Sequence, residues 1–409
     1  MKKKINHILP ALVLTASLGL TTVSCNGFLD EMPDNRTELN TDQKIAKLLV
    51  SAYADVSPNE LFELYSDNSD DSGPTYGYYK LSEQECYHWQ DTKEEYQDTP
   101  NSLWGGYYSA IAAANMALNA IEEKGNPASL DPQRGEALVC RAYCHFMLAN
   151  IFCNAYDTHA SQSLGVPYME EVETTVSPRY ERGTLEEVYR KVERDLLEGI
   201  DLISDDSYSV PKYHFTRKAA YAFAARFYLY YMKPDFSNCD RVIDFATRVL
   251  GTNPADLLRN WEALGNLSVN GNVQADAYIA SSNEANLLIS STVSNWGAIG
   301  SDYLIGPRYF HNQTLATSET CLSSGLWGSS DYFYLKPFST NGFVASILRK
   351  SGLYEGTYLY YMPVLFSTDE TLLCRAEAYA LKKMYAQSAA DITSWQRAYT
   401  RNKSVLTPE

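Results

Sequence analysis

LVCRAYCHFML, residues 138–148, returns near the far end of the chain as LLCRAEAYALK, residues 372–382. Both copies carry the frame L-x-C-R-A followed by an aromatic residue, and AAYAFAARFYLYY from Ala219 is a looser third. Small residues at contact positions beside large aromatics suit helices that pack closely on one another. A recurrence of this kind predicts tetratricopeptide-type helix pairs, although the copies keep no strict period. A plain helical bundle is the competing architecture. Either way the fold class is mainly all-α.

The flanking sequence agrees. Residues 41–54 place Ile45, Leu48, Leu49, Ala52 and Tyr53 on one helical face, and residues 101–123 do the same with Trp104, Tyr107, Ile111, Ala114, Leu118 and Ile121. Residues 132–153 continue with Ala137, Cys140, Cys144, Leu148 and Ile151, until Gly165, Pro167 and Pro178 break the pattern. Thr184 with Glu187 reads as a capping box, and so does Ser367 with Glu370. Thr216 opens a further helix that Pro234 stops, and Ser237 opens one that ends at Gly251. Between Thr252 and Phe366 the sequence turns to Asn, Ser and Gly with short apolar runs, which predicts turns and short strands set into the helical scaffold.

At the start of the chain, Lys2, Lys3 and Lys4 precede an apolar run from Ile8 to Leu20, too short to span a bilayer and suited to a secretory leader. Ser24 then precedes Cys25, the arrangement that a lipoprotein signal peptidase requires, although Thr22 stands where Leu is usual. The expected result is a mature chain beginning at an acylated Cys25, since two or three acyl chains hold a protein on a membrane where one does not. Cleavage of a plain secretory leader is the alternative.

With 34 basic and 50 acidic side chains the net charge is −16, which argues against nucleic acid and anionic lipid surfaces as partners. Setting Cys25 aside, the cysteines at 86, 140, 144, 153, 239, 321 and 374 are odd in number and show no disulfide framework. Cys140, Cys144 and His145 fit a zinc spacing poorly and read as helix core. DNSDDSG from Asp67 resembles a calcium loop, but its Gly falls one place late and Tyr78 holds the position of the bidentate Glu. No metal or cofactor is expected. There is no H-E-x-x-H, G-x-S-x-G or Walker sequence, so the reading is non-enzymatic, with a glycosidase as the enzyme alternative.

Six blocks then occur in order: CNGFLDEMP, LWGGYYSAIAAANMALNAIE, GEALVCRAYCHFMLANIF, RGTLEEVYRKVERDLLEGIDLI, HFTRKAAYAFAARFYLYY and DETLLCRAEAYAL. Together they resemble the SusD/RagB family of nutrient-binding outer-membrane lipoproteins along nearly the whole chain. The resemblance implies a lipoprotein on the outer face of the outer membrane, which captures oligosaccharides and passes them to a SusC-like TonB-dependent transporter. It also implies a tetratricopeptide-like scaffold facing the transporter and aromatic loops facing outward. Relatives continue further past DETLLCRAEAYAL, which implies a compact or truncated member here. The expected division is a leader over 1–24, a helical region over 25–251, a loop-rich ligand-binding region over 252–366 and a C-terminal helix pair over 367–409.

Sugar rings have apolar C–H faces edged by hydroxyls, so exposed aromatics with polar neighbours suit them. Trp104, Tyr107, Tyr143, Tyr221, Phe223 and Tyr379 lie on helical stripes and are assigned to packing. Tyr76, Tyr78, Tyr79, Tyr87, His88 and Trp89 crowd into one polar segment. By analogy with the family, Tyr78, Tyr79 and Trp89 are the expected ligand contacts from this segment, and Trp296, Trp327 and Tyr332 those from the later region. Asp67, Asn68, Asp70 and Asp71 are candidate polar rims. A peptide-capturing member of the family and a structural surface lipoprotein are the alternative readings.

Overall fold

The computed structural model describes residues 39–67, 69–75, 80–175, 178–268, 273–294, 308–310, 314–315, 334, 338–339, 342–343, 352–355, 358–401 and 405–407. The Thr41 hydroxyl accepts the Lys44 N–H and starts α1, Asp42–Leu48, which tightens into a 3-10 turn over Leu49–Ala52. Ile45, Leu49 and Ala52 are buried, as the spacing predicts. Two short helices follow, α2 (Asn59–Leu64) and α3 (Leu81–Tyr87). α3 lies in a stretch that reads as loop, because its buried residues are Ser82, Glu83, Glu85 and Cys86 and give no run of hydrophobic spacing.

The scaffold proper begins with α4 (Pro100–Glu123), α5 (Asp131–Phe152) and α6 (Leu185–Leu202). The Thr184–Glu187 box forms in full at the start of α6. α5 and α6 run antiparallel in close contact: a Cβ on Gly135 would lie 2.8 Å from the Gly199 carbonyl, and the Tyr189 hydroxyl donates to Asn150 at the other end. Next come α7 (Arg217–Tyr230) and α8 (Cys239–Leu250), the latter closed by Gly251 at φ 64°. α7 stops four residues short of Pro234, so the proline follows the break and does not make it.

Residues 252–366 include short helices as well as strands, among them α9 (Trp261–Gly265) and α10 (Val273–Tyr278). Among the described residues the strands make four small antiparallel sheets. β1 (Asp70–Asp71) pairs with β4 (Tyr309–Phe310), and β2 (Asn286–Ile289) with β9 (Val364–Ser367). β3 (Thr292–Val293) joins β8 (Tyr358–Tyr361), which also pairs with β7 (Gly352–Glu355), and β5 (Phe338–Ser339) pairs with β6 (Gly342–Phe343). The final pair is α11 (Thr368–Leu381) and α12 (Tyr385–Tyr399). Ser367 caps α11 through the Glu370 N–H, but the Glu370 carboxylate turns to Arg226 at 2.5 and 2.6 Å. Only half of that expected capping box therefore forms.

The recurring arginine explains the self-similarity. Arg141 in α5 donates to Asp195 in α6 at 2.6 Å, and Arg375 in α11 holds Asp391 in α12 through two bonds of 2.8 Å. Both pairs are buried, so each charge depends on its partner. In each case the arginine ties its helix to the next one. The looser copy departs from this, since Arg226 in α7 clasps Glu370 of α11 and not the following helix. Around these ties lies an aromatic core: Tyr107, Tyr143, Phe223, Phe227 and Phe366 are buried, with Tyr143 edge-on to Phe223 at 5.4 Å.

Cys140 and Cys144 are buried free thiols within α5. His145 is sealed beside them: Nδ1 donates to the Arg141 carbonyl, Nε2 accepts the Met169 N–H at 3.0 Å, and the ring stacks on Tyr168 at 3.7 Å. Burial holds its pKa down to about 3. Both ring nitrogens are committed, so this histidine is structural. Among the described residues, no group of three or more His, Cys, Asp or Glu side chains could hold a metal ion, and no helix is long and apolar enough to cross a membrane.

Candidate ligand platform

Of the six expected ligand contacts, Trp89 alone is described; Tyr78, Tyr79, Trp296, Trp327 and Tyr332 lie outside the described residues, as does Cys25. Trp89 follows His88, the C-cap of α3, and has φ 56°, in the left-handed region where L side chains are strained. Glycine or asparagine normally closes a helix this way. The Trp89 N–H donates to the Cys86 carbonyl and the Gln90 N–H to the Glu85 carbonyl, so the turn still satisfies the helix end.

This turn throws the indole outward. One face stacks on Tyr65 at 4.6 Å and 18°, while the side chain as a whole is 72% exposed. Tyr65 sits at the end of α2 and is only half-buried, yet burial raises its hydroxyl to about 12. A fixed ring thus supports an open one. Tyr65 was not among the expected contacts, and only the packing of α2 against α3 brings it under Trp89. His88, Gln90 and Asp91 flank the indole in sequence and are exposed, which gives it polar neighbours.

The platform rests on residues distant in sequence. Tyr87 packs on the buried Tyr309 at 4.8 Å, and His88 meets the same ring edge-on at 6.0 Å. Arg308 grips Asp71 through both guanidinium bonds, at 2.6 and 2.7 Å, beside the β1–β4 pairing. The hydrogen bond from Arg308 holds the Asp71 carboxyl below the usual carboxylate range. Asp71 is therefore a structural clasp and not a free rim; Asp70 likewise accepts the Asp71 N–H, and Asn68 lies outside the described residues. Asp67 is exposed.

At the other end of α3, Lys80 reaches Glu60 at 3.8 Å and Glu83 at 3.9 Å. Burial pushes the Glu60 carboxyl well up, with Asp98 adding to the effect. Farther along, residues of the segment 52–58 line a cavity of about 310 Å³, bordered also by Tyr107, Tyr143 and Tyr361, and two further grooves. Gly106 lets that segment approach α4, since a Cβ there would lie 2.4 Å from Val56 Cγ1.

Residues 27–229 match the family described as SusD-like, starch-binding and associating with the outer membrane. This chain is a member of the SusD-like family. The SusD-like fold is also found by comparison with solved structures. A SusD superfamily protein from Bacteroides fragilis is similar at TM-score 0.65 and 16% identity, over 90% of this chain and 82% of the other. A SusD-like carbohydrate binding protein from Bacteroides vulgatus is similar at TM-score 0.63 and 14% identity, over 90% and 76%. A SusD superfamily protein from Bacteroides thetaiotaomicron is similar at TM-score 0.62 and 15% identity, over 88% and 79%. At these identities the structural likeness concerns the fold. No curated protein matches the chain.

Proposed function

We propose that this SusD-like chain is a non-catalytic capture protein, lipid-anchored through Cys25 on the outer face of the outer membrane. It takes oligosaccharides on an aromatic platform and hands them to a SusC-like TonB-dependent transporter. The observation that carries the reading is the Trp89–Tyr65 stack, a rigid ring pair with an open aromatic side, held outward at the expense of backbone strain. Strained residues cluster where function demands a particular presentation. A planar, exposed indole with polar neighbours matches the C–H face and hydroxyl edge of a sugar ring.

Tyr78, Tyr79, Trp296, Trp327 and Tyr332 remain the further contacts in this proposal, and the carbohydrate-binding description of one structural neighbour supports the ligand class. An open platform binds weakly, between millimolar and micromolar, or about −4 to −8 kcal/mol. Retention then comes from the transporter closing over the ligand. The test is an affinity-gel screen of the soluble form beginning at Asn26 against plant, host and microbial polysaccharides, with a peptide pool beside them. Retardation by one polysaccharide class is expected. Peptide binding with no polysaccharide retardation would overturn the carbohydrate reading.

A further inference from the structure

A surface groove of about 660 Å³ lies apart from the platform, between residues 50–55, α4, the turn at 209–214 and the strand end at 289–291. None of its lining residues belongs to the Trp89 platform. Small-molecule sites fall in this size range, mostly apolar with a few placed polar groups. The apolar part here includes Val50, Val210 and the ring of Tyr213, which is 40% exposed.

The placed polar group is His214. Its Nδ1 donates to Glu136 Oε1 at 2.7 Å, and the same oxygen accepts the Tyr53 hydroxyl at 2.7 Å. Tyr53 in turn accepts the Phe215 N–H at 2.7 Å. The imidazole is stacked on Tyr208 at 4.5 Å and 10°, with Tyr53 edge-on at 6.1 Å. Burial, with Glu136 adding to it, pushes the Tyr53 and Tyr208 hydroxyls well up, so both stay protonated beside the carboxylate. These contacts fix the ring plane, and a carboxylate facing Nδ1 favours the tautomer with its proton there, as it does behind metal-bound histidines. With Nδ1 turned to Glu136, the neutral ring offers Nε2 as an acceptor, on a side chain that lines the groove and is 22% exposed.

The rest of the lining narrows the ligand. Ser51, Ser109, Ser209 and Ser291 are exposed there, and their hydroxyls bond to no described protein group. Among the described residues no Lys or Arg lines the groove, and Asp55 does, which disfavours anions. A fixed acceptor, free hydroxyls, an exposed tyrosine face and no cation together suit a neutral polyhydroxylated ring.

We propose that this groove is a second saccharide subsite, taking a neutral mono- or disaccharide that donates a hydroxyl to His214 Nε2 and lays a C–H face on Tyr213. The proposal rests on the carbohydrate reading above but uses a different surface. It is tested by following the ring signals of His214, identified by their loss in His214→Gln, by nuclear magnetic resonance during titration with glucose, galactose and glucuronate. Saturable movement with glucose or galactose is expected, a smaller response to glucuronate, and about tenfold weaker binding in Tyr213→Ala. A silent His214 in a protein that polysaccharide gels still retard would overturn the subsite alone. Silence together with absent retardation would overturn the carbohydrate reading and the subsite with it. A stronger response to glucuronate than to the neutral sugars would overturn the ligand class.

Discussion

Trp89 takes a backbone conformation that costs about 1–2 kcal/mol for an L residue, and its indole is largely in water, where burial cannot repay that cost. Trp89 itself was legible in the sequence, as an aromatic crowded among polar neighbours. Tyr65 beneath it was not, because nothing in a linear pattern says which helix end faces which. Buried His145 presents a separate test. Its folded pKa of about 3 lies below the ordinary value of 6.5, so the unfolded chain takes up the proton first. The contribution of His145 is complete above about pH 6.5 and falls as pH drops toward 3, by about 1.4 kcal/mol per pH unit within that window. Urea denaturation between neutral and mildly acidic pH should show this slope, and His145→Gln should flatten it even though the variant starts less stable. A slope unchanged in the variant would assign the acid sensitivity elsewhere.

Among the elements, the long helices were readable because their apolar residues recur at helical spacing and some of their ends carry caps such as Thr184 and Thr216. α3 was hidden by its acidic buried face, and the β1–β4 pairing by being two residues long and joining Asp71 to Tyr309 across most of the chain. The arginine of the repeated frame was visible, but its role was not: a charged residue inside a packed helix signals nothing until Asp195 or Asp391 arrives opposite it. Close helix approach gives a paired prediction. In Gly199→Ala the new Cβ would sit 2.6 Å from Val139 Cγ2 and 2.7 Å from the Gly135 carbonyl. The methyl of Val139 can shift, but the backbone oxygen cannot easily do so, and overpacking of about 1–3 kcal/mol outweighs the gain in helix propensity of about 1 kcal/mol. Gly105→Ala in α4 meets nothing within 4 Å and keeps only the propensity gain. Thermal melts should show the first variant losing several degrees and the second holding or rising; loss in both would mean that α4 is more tightly packed at Gly105 than the structure has it.

For the molecule as a whole, the six sequence blocks identified the family because their order is hard to reproduce by chance, whereas ligand identity depends on side chains that converge from separate loops. The net charge of −16 fits a neutral ligand better than an anionic one, since a polyanion would meet long-range repulsion. Anchoring through Cys25 predicts that the full-length protein enters the detergent phase on extraction and that Cys25→Ala moves it to the aqueous phase; an unchanged partition would leave only a plain leader. The central claim is that the exposed Trp89–Tyr65 stack holds the glycan. The most direct measurement is calorimetric titration of the polysaccharide that retards the protein most into wild type, Trp89→Phe and Trp89→Ala. The account predicts at least about tenfold weaker binding in the alanine variant, an intermediate value for phenylalanine and unchanged helical circular dichroism. Equal affinity in all three proteins would contradict it.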